Sequence, residues 1–185
     1  MELARLREET AELHRTVEEN VDLVSPGLTA DRYVRILQVF QAVFTAWESQ
    51  LDRDCPARFV ELWSGRKRAY RLMDDLETLG SNPDEAMFDA SKPPCLEDDG
   101  VWLGALYVLE GSTLGGQVIS RYLETHFGWR DGQGYSFFQG YGPRTGEMWR
   151  GLREAIETSS GKETQIVAGA HLTFGHLGRI VSRFL

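Results

Sequence analysis

Apolar residues recur every three to four positions along most of the chain, and no stretch alternates apolar with polar in strict period two. A period near 3.6 puts each such stripe on one face of a helix, so the pattern predicts helices and no strands. Leu3, Leu6, Leu13 and Val17 form the first stripe, on a helix over about 3–21 that stops before Ser25-Pro26-Gly27. Thr29 is suited to cap a second helix carrying Tyr33, Ile36, Leu37, Phe40, Phe44, Trp47 and Leu51. Pro56 opens a short helix through Phe59, Leu62 and Trp63, and a fourth runs through Tyr70, Leu72, Met73 and Leu76 to Gly80. A loop punctuated by Pro83, Pro93 and Pro94 follows, then a long helix over about 100–126 and a glycine- and aromatic-rich connection over 128–142. Thr145 is expected to cap a helix through Trp149, Leu152 and Ile156. The last helix carries Ile166, Val167, Ala170, Phe174, Leu177, Ile180, Val181 and Phe184. The expectation is an all-α, multihelical bundle in which residues 1–185 form a single domain.

Two helices depart from simple core patterning. The long one carries Gly104, Gly111, Gly115 and Gly116 within the run Leu109-Glu110-Gly111-Ser112-Thr113-Leu114-Gly115-Gly116-Gln117. Each interior glycine costs about 1 kcal/mol relative to alanine. Gly104, Gly111 and Gly115 share one face, which is bare backbone. Either another helix packs closely on that face or a flat ligand lies on it, and Gly115-Gly116 permits a kink. On the first helix, His14 sits at the edge of the apolar stripe, with Arg7 two turns before it and Glu18 one turn after. Two turns span roughly 10 Å at 1.5 Å rise per residue. That is about the separation of a heme iron from its propionates, so a histidine for iron and an arginine for a carboxylate fit one helix. Glu18 is placed to accept the other imidazole N–H, which fixes tautomer and basicity.

Together the two segments resemble the heme oxygenases, especially the short bacterial, biliverdin-producing type. The family's first-helix pattern, L-[KR]-E-x-T-x-x-[LV]-H, is met by Leu6-Arg7-Glu8-Glu9-Thr10-Ala11-Glu12-Leu13-His14. Its distal G-x-x-x-G-G-Q is met by Gly111, Gly115, Gly116 and Gln117, and order and spacing agree across nearly the whole chain. The resemblance implies a heme held between the first helix and a kinked distal helix. His14 would be the proximal iron ligand, Glu18 its orienting partner, and Arg7 a propionate contact. Gly111, Gly115 and Gly116 would form the distal wall, and Arg150 is the best match to the family's later propionate-binding base. Many members have an aspartate after the first distal glycine, where this chain has Ser112. A second bacterial subgroup has Glu-Gly-Ser in that place, as here, and Ser112 is then expected to position water. Heme would be both substrate and cofactor, cleaved with O2 to biliverdin, carbon monoxide and ferrous iron. Electrons would come from outside, from a ferredoxin or flavoprotein reductase, because the chain carries no dinucleotide or flavin fingerprint. The biliverdin could feed a phytochrome pathway.

Composition narrows the remaining choices. A net charge of −8 and a pI near 5.1 argue against nucleic-acid or membrane partners. No run of eighteen apolar residues suggests a membrane span, and the acidic, amphipathic start is unlike a signal peptide. The two cysteines, Cys55 and Cys95, fall in separate polar linkers, which suits a reduced, cytoplasmic protein. Arg66-Lys67-Arg68 with Arg71 reads as a solvated helix face that could dock an acidic redox partner. His126, His171 and His176 read as structural or surface residues. The competing chemistry is a heme carrier or sensor on the same fold that does not cleave its ligand. A thiaminase-like hydrolase lacks a pocket cysteine, and four scattered histidines do not make a di-iron site.

Overall fold

The structure is a computed structural model and describes residues 3–185. Among these residues there are helices and turns and no strands: α1 (Leu3–Val21), α2 (Ala30–Arg53), α3 (Val60–Trp63), α4 (Ala69–Thr78), α5 (Glu85–Ala90), α6 (Asp99–Phe127), α7 (Thr145–Thr158) and α8 (Glu163–Phe184). None is long and apolar enough to cross a membrane.

Local chemistry sets most of the ends. The Thr29 hydroxyl accepts the Arg32 N–H at 3.2 Å and starts α2. Asp98 does the same for Gly100 at 2.7 Å and starts α6, which ends at Gly128 in a left-handed conformation (φ 71°). Two expectations fail. The proline-punctuated loop contains α5, because Asp84 accepts from the N–H groups of Ala86 and Met87 and nucleates a helix there. Thr145 is the first helical residue of α7 and not its cap: its hydroxyl donates back to the Gly142 carbonyl at 2.9 Å and accepts the Tyr141 N–H at 3.1 Å.

The core is built on α2 and α6, the helices with the most buried residues. Ile36, Leu37, Val43 and Trp47 of α2 and Trp102, Leu103 and Leu106 of α6 are buried. Against α6 lies α8, at backbone contact. A Cβ on Gly104 would overlap the Ile166 carbonyl, and one on Gly169 would overlap the Val101 carbonyl. Neither neighbour can give way, since both are main chain. The glycine stripe of α6 is therefore used for helix packing at its N-terminal end.

Buried carboxylates of the core helices cap their neighbours. Glu48 of α2 accepts the Arg68 and Ala69 N–H groups at 2.6 and 2.9 Å, closing the N-terminus of α4. Asp75 of α4 accepts those of Ser136 and Phe137 at 2.7 and 2.9 Å, pinning the connection between α6 and α7. Burial pushes both carboxyl groups above their ordinary range, against the pull of those hydrogen bonds. The basic run at 66–68 is not a solvated face: Arg66 and Arg68 are buried, and only Lys67 between them is exposed. Arg66 pairs with buried Glu110, whose other oxygen accepts from the Tyr141 hydroxyl at 2.5 Å. Nor are the cysteine linkers separate, because Asp54 accepts the Leu96 N–H at 2.7 Å and Cys55 packs on the core.

Candidate functional site

Helix α1 and the turn that follows it lie along α6 and touch it at two levels. At one end Tyr107 lies against Thr10 and Arg7, and burial raises its hydroxyl above the ordinary value. At the other, the Tyr122 hydroxyl donates to the Ser25 carbonyl and His126 Nε2 donates to the Leu28 carbonyl at 2.7 Å. His126, stacked on Tyr122, is thus a structural latch, as expected. The Thr10–Tyr107 and Ser25–Tyr122 ties share one separation, 97 residues. Ser25 lies four residues beyond the end of α1, so the helical register follows from the Thr10–Tyr107 contact alone, counted along two helices of equal rise. That count sets His14 about level with Gly111, and Glu18 about level with Gly115.

Between the ties the two helices stand apart. A Cβ at Gly111 or Gly115 would meet nothing within 4 Å outside its own helix. The same face carries Leu114 and Val118, exposed at 47% and 66%. Four neighbouring positions of glycine and aliphatic side chain make a flat apolar strip that water covers poorly. The facing side of α1 presents His14. Its ring stands edge-on to Phe174 of α8, with centroids 5.7 Å apart, and its Nδ1 lies 3.6 Å from the Glu18 carboxylate. Nε2 has no hydrogen-bond partner among the described residues and is free to bind a ligand. Arg7 is exposed at the Tyr107 end, where Trp149 of α7 closes over Tyr107 at 5.9 Å between ring centroids. Arg150, next to Trp149, is exposed and in no ion pair among the described residues.

Gly111 and Gly115 leave their face of α6 open, and the Thr10–Tyr107 contact puts His14 and Glu18 of α1 at about their level, with Arg7 and Arg150 toward the Tyr107 end. The structure separates Gly116 from them. A Cβ there would overlap the Phe138 carbonyl, so Gly116 turns away from the slot and admits the connection that follows α6. Ser112 also differs from its expected role. Its hydroxyl donates to the Leu109 carbonyl at 2.6 Å and accepts from Arg68 Nη2 at 3.1 Å, at the slot's rim. A hydroxyl has one proton, so this one cannot donate to water in the slot. His176 is not at the surface: it is buried and accepts from Trp47 Nε1 at 3.1 Å, and burial lowers its basicity. The network of Arg66, Arg68, Glu110 and Tyr141 was not foreseen as part of the site. Its signal was Glu110, an acid within an apolar run, which requires a buried cation. Among the described residues no three of His, Cys, Asp and Glu cluster as metal ligands.

No family model matches the chain. A curated relative, the heme oxygenase of Xanthomonas campestris pv. campestris, is 29% identical over 154 residues, covering 80% of this chain and 88% of the relative. Among solved structures, the NO- and CO-bound heme oxygenase of Neisseria meningitidis matches with a TM-score of 0.77 at 20% identity, over 98% of this chain and 90% of that one. Heme oxygenase-1 of the cyanobacterium Synechocystis, solved in complex with heme, matches with a TM-score of 0.78 at 18% identity, over 97% and 90% of the two chains. The chain is thus similar in sequence to a heme oxygenase over four-fifths of its length, and shares the fold of solved heme oxygenases over nearly all of it.

Proposed function

We propose that the slot between α1 and α6 binds heme, and that the protein cleaves it with O2 and external electrons to biliverdin, carbon monoxide and ferrous iron. The observation that carries this reading is the open, bare backbone at Gly111 and Gly115, at about the level of His14 as counted from the Thr10–Tyr107 contact. A planar tetrapyrrole fits such a slot: apolar faces cover Leu114, Val118 and the two glycines, and its carboxylates reach the basic end.

Each residue then has a defined task. His14 Nε2 would hold the iron, Glu18, 3.6 Å from Nδ1, is placed to orient the ring, and Phe174 buttresses it. Arg7 and Arg150 pair with the propionates. Gly111 and Gly115 leave the opposite side open and bring main-chain groups near it, where side chains would crowd a diatomic ligand. The bound heme supplies the redox chemistry, and the chain supplies ligation, orientation and exclusion of water. A ferredoxin or flavoprotein reductase provides the electrons, in a cytoplasmic setting.

The test is to load the purified protein with heme, supply ferredoxin, its reductase and NADPH in air, and identify the product by chromatography. Bilin with release of carbon monoxide is expected. Heme held through His14 but never cleaved would make the protein a carrier.

A further inference from the structure

One buried cation at the rim of the slot is in no ion pair among the described residues. Arg68 is 3% exposed, and its guanidinium lies 4.8 Å from the Phe137 ring centroid and 5.3 Å from that of Tyr141. Nη2 donates to the Leu109 carbonyl at 3.2 Å and to the Ser112 hydroxyl at 3.1 Å. Both carboxylates nearby are engaged elsewhere: Glu48 with two main-chain N–H groups, Glu110 with Arg66 and Tyr141. Arg68 Nε and Nη1 meet no protein acceptor. Buried N–H groups of a charged side chain are costly to leave unpaired, because the desolvation cost is several kcal/mol, on the order of that for a lost charged hydrogen bond. These nitrogens are closed off from solvent, and the rings of Phe44, Phe137 and Tyr141 around the guanidinium hold the charge by cation–π contact.

Position decides what that charge does. Ser112 is the next residue after Gly111, about 100° around the helix, and so stands between the open face and Arg68. Its proton is committed to Leu109, which leaves its oxygen one remaining lone pair. Ser112 can receive a further hydrogen bond and cannot give one. The cation on this side of the slot is Arg68.

We propose that Arg68 is a positioning residue of the heme slot: it locks the Ser112 hydroxyl and holds a positive charge beside the face opened by Gly111 and Gly115. This rests on the reading of the slot as a heme site. A positive charge at the rim also favours negative charge inside the slot.

The experiment uses the heme-loaded protein and the variants Arg68→Met, Arg68→Lys and Ser112→Ala. The histidine-ligated spectrum of the unmutated protein is recorded first, and its absence would sink the heme reading before Arg68 is tested. In Arg68→Met the acid–alkaline midpoint of the ferric heme complex should rise by about one pH unit, because the charge that favours the alkaline form is gone. Single-turnover bilin formation should fall about tenfold or more. Arg68→Lys keeps the cation and should restore the midpoint, which a purely structural role does not predict. Ser112→Ala should slow turnover only moderately. A midpoint and turnover unchanged in Arg68→Met would overturn the proposal. If that variant does not fold, a high-resolution crystal structure of the unmutated protein decides: Arg68 Nη2 bonded to the Ser112 hydroxyl supports it, and a guanidinium turned away from Ser112 overturns it.

Discussion

Gly115 and Gly116 are adjacent, identical and opposite in what they do. A methyl group at Gly116 overlaps a main-chain carbonyl that cannot move aside, whereas one at Gly115 meets open space. Replacing a helical glycine by alanine stabilises a helix by about 1 kcal/mol when nothing obstructs it. Overpacking against a rigid neighbour costs about 1–3 kcal/mol. Gly115→Ala should therefore raise the melting temperature of the heme-free protein while weakening heme binding, and Gly115→Leu should abolish turnover with the fold intact. Gly116→Ala should lower the melting temperature and affect heme only through the fold. The two signs are read by thermal melts and heme titration, and equal signs would mean that the slot does not lie over Gly115. His14→Ala should lose the histidine-ligated spectrum. An unchanged spectrum in that variant would remove His14 from the iron.

At the scale of elements, the helices α4 and the connection after α6 begin on buried carboxylates, and that makes stability depend on pH in an unusual sense. Glu48 has its folded-state pKa raised, chiefly by burial. A group so shifted contributes stability in full below its unfolded value, about 4.3, and the contribution is lost as pH rises through the folded value. Glu48→Gln keeps an acceptor for the two N–H groups and removes the ionisation. Its melting temperature should vary less with pH above 4 than that of the unmutated protein, and parallel curves for the two would show that Glu48 titrates normally. The helices themselves were legible from periodicity, because α1, α2, α6 and α8 each carry a long apolar stripe. The slot was legible as chemistry, from His14 with Arg7 and Glu18 and from the glycines. What the chain alone did not disclose was tertiary pairing. A basic triplet beside a short helix looks solvated unless Glu110 and Glu48, far off in sequence, are known to face it. Gly111 and Gly116 likewise look equivalent until Phe138 is in place. Asp84 was a missed signal, since an Asp after a proline is a common way to start a helix.

For the molecule as a whole, α1 is the least secured wall of the slot. It is held to α8 along its length through Glu9, His14 and Val17, but to α6 only about Thr10 and through the turn after it. Its slot-facing residues His14 and Glu18 are exposed. A ligand that bonds His14 on one side and covers Gly111, Leu114, Gly115 and Val118 on the other supplies the missing contact between the helices. Binding only to the folded state stabilises it by about 2.7 kcal/mol at a hundred times the dissociation constant. In a chain of this size that corresponds to a rise in melting temperature of roughly 5–11 °C. The gain should also be local. Hydrogen exchange should slow on heme binding in residues 11–21 of α1 and 110–119 of α6, with little change in the α2 core, which is already buried. His14→Ala should lose most of the protection in α1 and keep part of it in α6, where the contact is apolar. Protection spread evenly over α2 and α8, with none concentrated on α1 and α6, would place the ligand elsewhere on the protein.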